Sequence, residues 1–183
     1  YTKLLIATGG KPLIPPFEGI EKKNVFNFIK LDDVKNIERL ARAGSKAIVV
    51  GASFSGLKAV EALVQRGVRV TVIDIMDRIM PRVLDETASL IALKCLVKYR
   101  VEVLLNTTVE KIIGDKIARG VLLKDGRELA CDFIILAVGV RCNIDLVKGT
   151  NLNINRGIIV DTGMRTNIPD VYAAGDVAEG YNF

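Results

Sequence analysis

The chain has 183 residues, 50% of them hydrophobic and 26% charged, a composition that supports at least one sizeable folded domain and argues against disorder. Its net charge of +5 is spread along the whole length with few aromatics interleaved, which argues against a nucleic-acid-binding patch. No apolar run approaches the roughly 18 residues of a membrane span. No histidine occurs, so a zinc site of the usual kind and a Ser-His-Asp device are excluded.

Three cysteines, Cys95, Cys131 and Cys142, stand too far apart for a CxxC pair. Their odd number argues against a disulfide scaffold and for a reducing, cytoplasmic setting.

Residues 3–7 form a short apolar run ending in Thr8-Gly9-Gly10, which reads as a strand entering a glycine turn. Pro12, Pro15 and Pro16 make an extended, non-helical connector. Residues 31–43 have a helical rhythm. Asp32 or Asp33 caps the start, Val34, Ile37 and Leu40 or Ala41 share a face, and Gly44 stops it.

The run Ala47-Ile48-Val49-Val50 has the continuous apolar character of a buried parallel strand, and Gly51-Ala52-Ser53-Phe54-Ser55-Gly56 follows at once. A helix comes next, with Leu57, Val60, Leu63 and Val64 on one face and Gly67 at its end. Residues 69–73 then form a strand finishing at Asp74, completing a β-α-β unit of about 30 residues. Residues 85–99 read as a further helix and 101–105 as a third strand. The period then changes: residues 107–113, 117–124 and 127–130 alternate like short antiparallel strands, with Asp125-Gly126 as a hairpin turn. Residues 133–138 are again a buried strand, closed by Gly139, and short strands at 158–160 and 171–173 lead to Gly175-Asp176.

Gly51-x-Ser53-x-x-Gly56 sits where a dinucleotide fingerprint belongs, after a strand and opening a helix. The first glycine makes the tight turn and the last lets helix and strand pack closely. Amides at the helix N-terminus then hold a pyrophosphate. Ser53 replaces the middle glycine, which weakens the match. Asp74 strengthens it. A carboxylate at the end of the second strand accepts bonds from ribose hydroxyls and repels a 2′-phosphate, so the pattern favours NADH over NADPH.

With these motifs in order, the sequence resembles the FAD-dependent pyridine nucleotide-disulfide oxidoreductase superfamily, in its NADH oxidase, ferredoxin or rubredoxin reductase and nitrite-reductase flavin-module branch. The run at 3–9 is similar to the family's Ala-Thr-Gly turn, and Ala137-Val138-Gly139-Val140-Arg141-Cys142-Asn143 to its second glycine turn, usually Gly-x-Arg-Pro-Asn. Val171-Tyr172-Ala173-Ala174-Gly175-Asp176 is similar to its late motif, whose aspartate contacts the ribityl chain of FAD.

The resemblance implies an α/β fold: a Rossmann-like, three-layer NAD(H)-binding domain over residues 21–148, with a central parallel sheet and an antiparallel meander. Pieces of an incomplete FAD domain at 1–20 and 149–183 would flank it. Those two pieces are expected to be the least ordered parts or to pair with each other.

Carried over by residue, Gly51, Ala52, Ser53, Phe54, Ser55, Gly56, Asp74 and Gly139 would line NADH, with Gly139 near the nicotinamide. Thr8, Gly9, Gly175 and Asp176 would contact FAD. Phe54 stands where relatives have an aromatic that covers the flavin; the other reading is a core aromatic beneath the first helix. Lys58 replaces a glutamate that contacts the nicotinamide amide, with Glu61 one turn on as a substitute. Cys142 replaces a proline, and an incidental small buried thiol is favoured over a redox role.

The implied reaction is hydride transfer from NADH to FAD and on to an unnamed acceptor. It needs alignment more than acid-base residues, so no catalytic residue is assigned. The implied partners are the FAD-binding remainder of the same protein and a small electron-carrier protein or redox domain, in a homo-oligomer. Two other readings stay open: a non-catalytic NADH-sensing module, and a free-standing NAD-dependent dehydrogenase. The second is disfavoured by the absence of histidine and of a Tyr-x-x-x-Lys spacing.

Overall fold

A computed structural model describes residues 1–180. They form two compact units. One is residues 14–139, and the other joins Tyr1–Leu13 to the described residues from Val140 onward. In chain order the first strands are β1 (Leu4–Ile6), β2 (Gly10–Pro12), β3 (Val25–Asn27), β4 (Lys46–Val50), β5 (Arg69–Ile73) and β6 (Glu102–Leu104). The later ones are β7 (Val109–Ile113), β8 (Gly120–Leu123), β9 (Glu128–Ala130), β10 (Phe133–Leu136), β11 (Val140–Cys142), β12 (Ile158–Ile159), β13 (Val171–Ala173) and β14 (Ala178–Glu179). The helices are α1 (Leu31–Leu40), α2 (Phe54–Gln65) and α3 (Glu86–Lys98). None is long and apolar enough to cross a membrane.

The larger unit has three layers. Its centre is a five-stranded sheet in the order β3-β10-β4-β5-β6, parallel throughout. Side chains alternate across a strand, so a parallel strand must be apolar on both faces to be covered on both. The alternation assigns the layers. Ala47 and Val49 of β4, Val70 and Val72 of β5, and Phe133 and Ile135 of β10 join a core with Ala59, Val60 and Leu63 of α2 and Ile37 of α1. Their neighbours Ile48, Val50, Ile73, Ile134 and Leu136 join a second core with Val109, Ile112, Val121 and Leu123 of the antiparallel β7-β8-β9 meander. The continuous apolar runs seen in the sequence are this two-sided burial.

Several boundaries differ from the sequence reading, for local reasons. The first helix stops at Leu40 instead of reaching residue 43. Ala41 still donates to Ile37 O, but its ψ of 75° leaves the helix. Gly44, at φ +86°, turns the chain beyond that point and donates to Gly67 O. Asp33 serves the helix start by accepting from the amides of Lys30 (2.9 Å) and Ile29 (3.2 Å). Asp85 is the N-cap of α3 and accepts from Ala88 N–H at 2.8 Å. Asp85→Ala is expected to cost about 1 kcal/mol, lowering the thermal midpoint by about 2–4 °C in a circular-dichroism melt.

The smaller unit pairs the two ends of the chain. β1 lies parallel to β13, β2 antiparallel to β11, and β12 parallel to β14. Ile6, Val147, Ile158, Val160, Val171, Ala173 and Val177 form its own core. The pairing expected for the terminal pieces is therefore present. β2 replaces what reads in the sequence as connector, because its partner is distant along the chain and leaves no local pattern.

The seams fall at residues 13/14 and 139/140, whereas the sequence reading sets them near 20 and 148. Glu18 and Lys23 bridge to Lys111 and Ile117 of the larger unit, and β11 pairs with β2 in the smaller one.

Candidate functional site

Register alone gathers the candidate residues of the larger unit at one sheet edge. Val50 is level with Ile73 and Leu136, and Ile73 is level with Leu104. Because these strands are parallel, Gly51, Asp74, Leu105 and Ala137 all follow their strands at the same carboxyl-end edge, where open α/β sheets bind ligands.

Gly51 has φ +110°, outside the range of L side chains, and a Cβ there would lie 2.5 Å from Ala137 O. A Cβ on Gly56 would fall 2.0 Å from Gly51 O, so α2 meets the loop through bare backbone. Ser53 is the N-cap of α2. Its Oγ accepts from Gly56 N–H at 3.3 Å and donates to Ala137 O at 2.8 Å. The first amides of a helix have no partner inside it. With that of Gly56 satisfied by Ser53, those of Phe54 and Ser55 are left to face an anion. The first turn of α2 carries no acidic residue to compete for them.

The carboxylate of Asp74 fastens this loop to the next. Its Oδ2 accepts from Ala52 N–H at 2.6 Å and its Oδ1 from Met76 N–H at 2.8 Å. Ala52 O in turn accepts from Met80 N–H at 3.2 Å. Thr107 N–H donates to Asp74 O, and Asn106 N–H to Met76 O. Three loops are thus stitched along one edge. Each Asp74 oxygen has a second lone pair for a ribose hydroxyl. The bare-backbone turn, the uncommitted amides and this acceptor together fit a dinucleotide: Gly51 to Gly56 could hold the pyrophosphate and Asp74 the ribose.

Gly139, at φ +112°, turns the chain two residues beyond Ala137. Phe54 is 64% exposed, which overturns the reading of it as a core aromatic. It is the first residue of α2. Lys58 is paired with Glu61 at 2.9 Å, and both are exposed.

All three cysteines are free. Cys142 lies close to Gly157, where an added Cβ would meet its Sγ at 3.0 Å. The Cys131 thiol is pushed up to about 12, first by burial and then by the charge of Asp132. A thiol reagent at pH 8 is expected to label exposed Cys95 in the native protein and Cys131 only on unfolding. The folded state also keeps the Cys131 proton where the unfolded thiol has lost it. This contribution to stability is therefore full below about pH 9 and declines as the pH rises towards about 12.

In the smaller unit, Ile6 is level with Ala173, so the turns at Thr8-Gly9 and Gly175-Asp176 emerge side by side. Thr8 Oγ1 donates to Asn143 O at 2.7 Å, Asn143 Nδ2 to Thr8 O at 3.0 Å and Asn143 N–H to Gly9 O at 2.8 Å. A Cβ on Gly10 would lie 3.3 Å from Asp176 Oδ2. Thr8, Gly9 and Asp176 are thus brought to one place, with Gly175 at φ +77° beside them. Sequence reasoning missed Ala137, Met76 and Asn143 as site-builders. The first two act through backbone atoms and carry no side-chain signal. Asn143 was visible within its motif.

The family model described as pyridine nucleotide-disulphide oxidoreductase matches residues 1–183. The chain is 37% identical over 179 residues to a nitrite reductase (NAD(P)H) of Bacillus subtilis, covering 98% of this chain and 22% of that protein. It is 36% identical over 186 residues to an NADH oxidase of Methanocaldococcus jannaschii, covering 100% of this chain and 41% of that one. The putidaredoxin reductase–putidaredoxin complex matches with a TM-score of 0.95 at 26% identity, over 100% of this chain and 45% of the other. The chain thus spans less than half the length of these relatives. From the full-length match, together with a parallel sheet that carries a glycine turn and an acid at one edge, the chain belongs to the pyridine nucleotide-disulphide oxidoreductase family.

Proposed function

We propose that this chain holds the NADH-binding portion of a flavoprotein oxidoreductase, which passes hydride from NADH to FAD and on to a further acceptor. The observation that carries this reading is the juxtaposition of the glycine loop and the Asp74 carboxylate, joined at 2.6 Å through Ala52 N–H. Backbone amides of Phe54 and Ser55 take the pyrophosphate at the α2 N-terminus. Asp74 accepts from the ribose and disfavours a 2′-phosphate. Gly139 leaves room at the nicotinamide end, and exposed Phe54 covers the approach until the cofactor arrives.

The flavin, when bound, supplies the hydride-accepting chemistry. Thr8, Gly9, Gly175 and Asp176 are the residues proposed to contact it. Most of the rate advantage would come from alignment, so the absence of histidine from this portion is compatible with hydride transfer in the larger flavoprotein. An electron-carrier protein is the proposed onward partner, supported by the likeness to a reductase solved in complex with putidaredoxin. The setting proposed is the cytoplasm.

Titration calorimetry of the chain with NADH and with NADPH tests the reading. Saturable binding of NADH, at least tenfold tighter than NADPH, is the expected result. Equal affinity for both, or no binding of either, would overturn it.

A further inference from the structure

We infer that Ser53 is a positioning residue, and that its hydroxyl shapes the phosphate cradle. This rests on the reading of the glycine loop as the pyrophosphate site.

The middle residue of the fingerprint is ordinarily glycine because a side chain there would stand between backbone and phosphate. Ser53 avoids that conflict by geometry. Its φ of −78° and ψ of 172° are ordinary extended values, open to any residue, so no strain calls for glycine. The hydroxyl turns inward, donating to Ala137 O at 2.8 Å and accepting from Gly56 N–H at 3.3 Å. Its single donor and one of its acceptor sites are both in use. Ala137 is buried at 6% exposure, so its carbonyl gains a partner that water is poorly placed to supply.

The neighbouring residue is held from the other side. Ala52 donates to Asp74 and accepts from Met80. The Ala52-Ser53 pair is therefore anchored to the end of β10 on one flank and to the β5–α3 loop on the other. Such a cradle is set before the ligand arrives, which reduces the ordering cost of binding. Glycine at position 53 would remove the cap and the Ala137 contact and add backbone freedom at the centre of the loop. The family-like residue would make this particular site worse.

The test compares Ser53→Gly, Ser53→Ala and Ser53→Thr with the parent chain. NADH affinity is measured by calorimetry well below every melting temperature, and amide hydrogen exchange is followed at Gly56. Ser53→Gly and Ser53→Ala are expected to weaken NADH by about tenfold, the equivalent of one net hydrogen bond and cap, with faster exchange at Gly56. Ser53→Thr keeps a capping hydroxyl and is expected to stay within about twofold.

A purely structural role would lower the melting temperature while leaving the folded protein's NADH affinity unchanged, and that outcome overturns the inference. So does a Ser53→Gly variant that binds NADH as tightly as the parent or more tightly. If the parent chain fails to bind NADH at all, the functional reading falls and this inference with it. If the parent binds and the glycine variant matches it, only the role of Ser53 is lost.

Discussion

Gly51→Ala is expected to cost about 3 kcal/mol of folding stability and to abolish measurable NADH binding. Two independent penalties act at that position. The backbone sits at φ +110°, a conformation essentially reserved for glycine. The new methyl would also stand 2.5 Å from Ala137 O and 2.8 Å from Ala137 C. Those are main-chain atoms at the end of a buried strand and have no rotamer in which to retreat. The loop must move away from β10, and the Ser53 hydroxyl leaves Ala137 O with it. A thermal midpoint lower by about 6–12 °C is the expected readout. Gly126→Ala separates the two penalties. It has φ +87° but no atom within 4 Å of the added Cβ, so it pays strain alone and leaves NADH binding intact. Equal melting shifts for the two variants would contradict this account of Gly51.

Asp74→Asn is the second large effect, despite the conservative appearance of the change. Both oxygens of Asp74 accept from backbone amides, Ala52 N–H at 2.6 Å and Met76 N–H at 2.8 Å. Asparagine has one oxygen, so its NH₂ group would face one of those donors with nothing to accept. The unmet amide costs about 1–3 kcal/mol, and the ribose loses its charged acceptor. NADH affinity is expected to fall by at least tenfold.

Asp74→Arg removes the carboxylate and adds a charge that welcomes a 2′-phosphate. It should weaken NADH and narrow or invert the NADH/NADPH ratio. An unchanged ratio by titration calorimetry would show that Asp74 is a clasp between loops and does not read the ribose.

The two experiments probe different parts of one edge. Gly51 concerns the space between loop and strand, and Asp74 concerns charge and hydrogen-bond acceptors. Their effects should not add, because both act through the position of Ala52.

The elements around the glycine loop were legible because their signals are local. A continuous apolar run means a strand covered on both faces, and Asp125-Gly126 means a hairpin. The acid closing residues 69–73 stands at the strand end where a dinucleotide fingerprint expects one. Phe54 shows where that legibility ends. Its type and position suit either a core or an exposed aromatic, and exposure is a property of what the rest of the chain covers.

The alternation of strands and helices, the change of period at the meander, and the order of the motifs that mark the family can all be read directly from the residues. Each of these is written in residue types a few positions apart, where backbone sterics and side-chain periodicity act directly. The tertiary structure alone decided that Ala137 O receives the Ser53 hydroxyl and that Asp74 holds Ala52 and Met76. It also decided that β2 pairs with β11 and that Phe54 is left exposed. Those outcomes depend on strand register and on main-chain atoms brought together from distant parts of the chain. A carbonyl or an amide is the same in every residue until the fold gives it a neighbour.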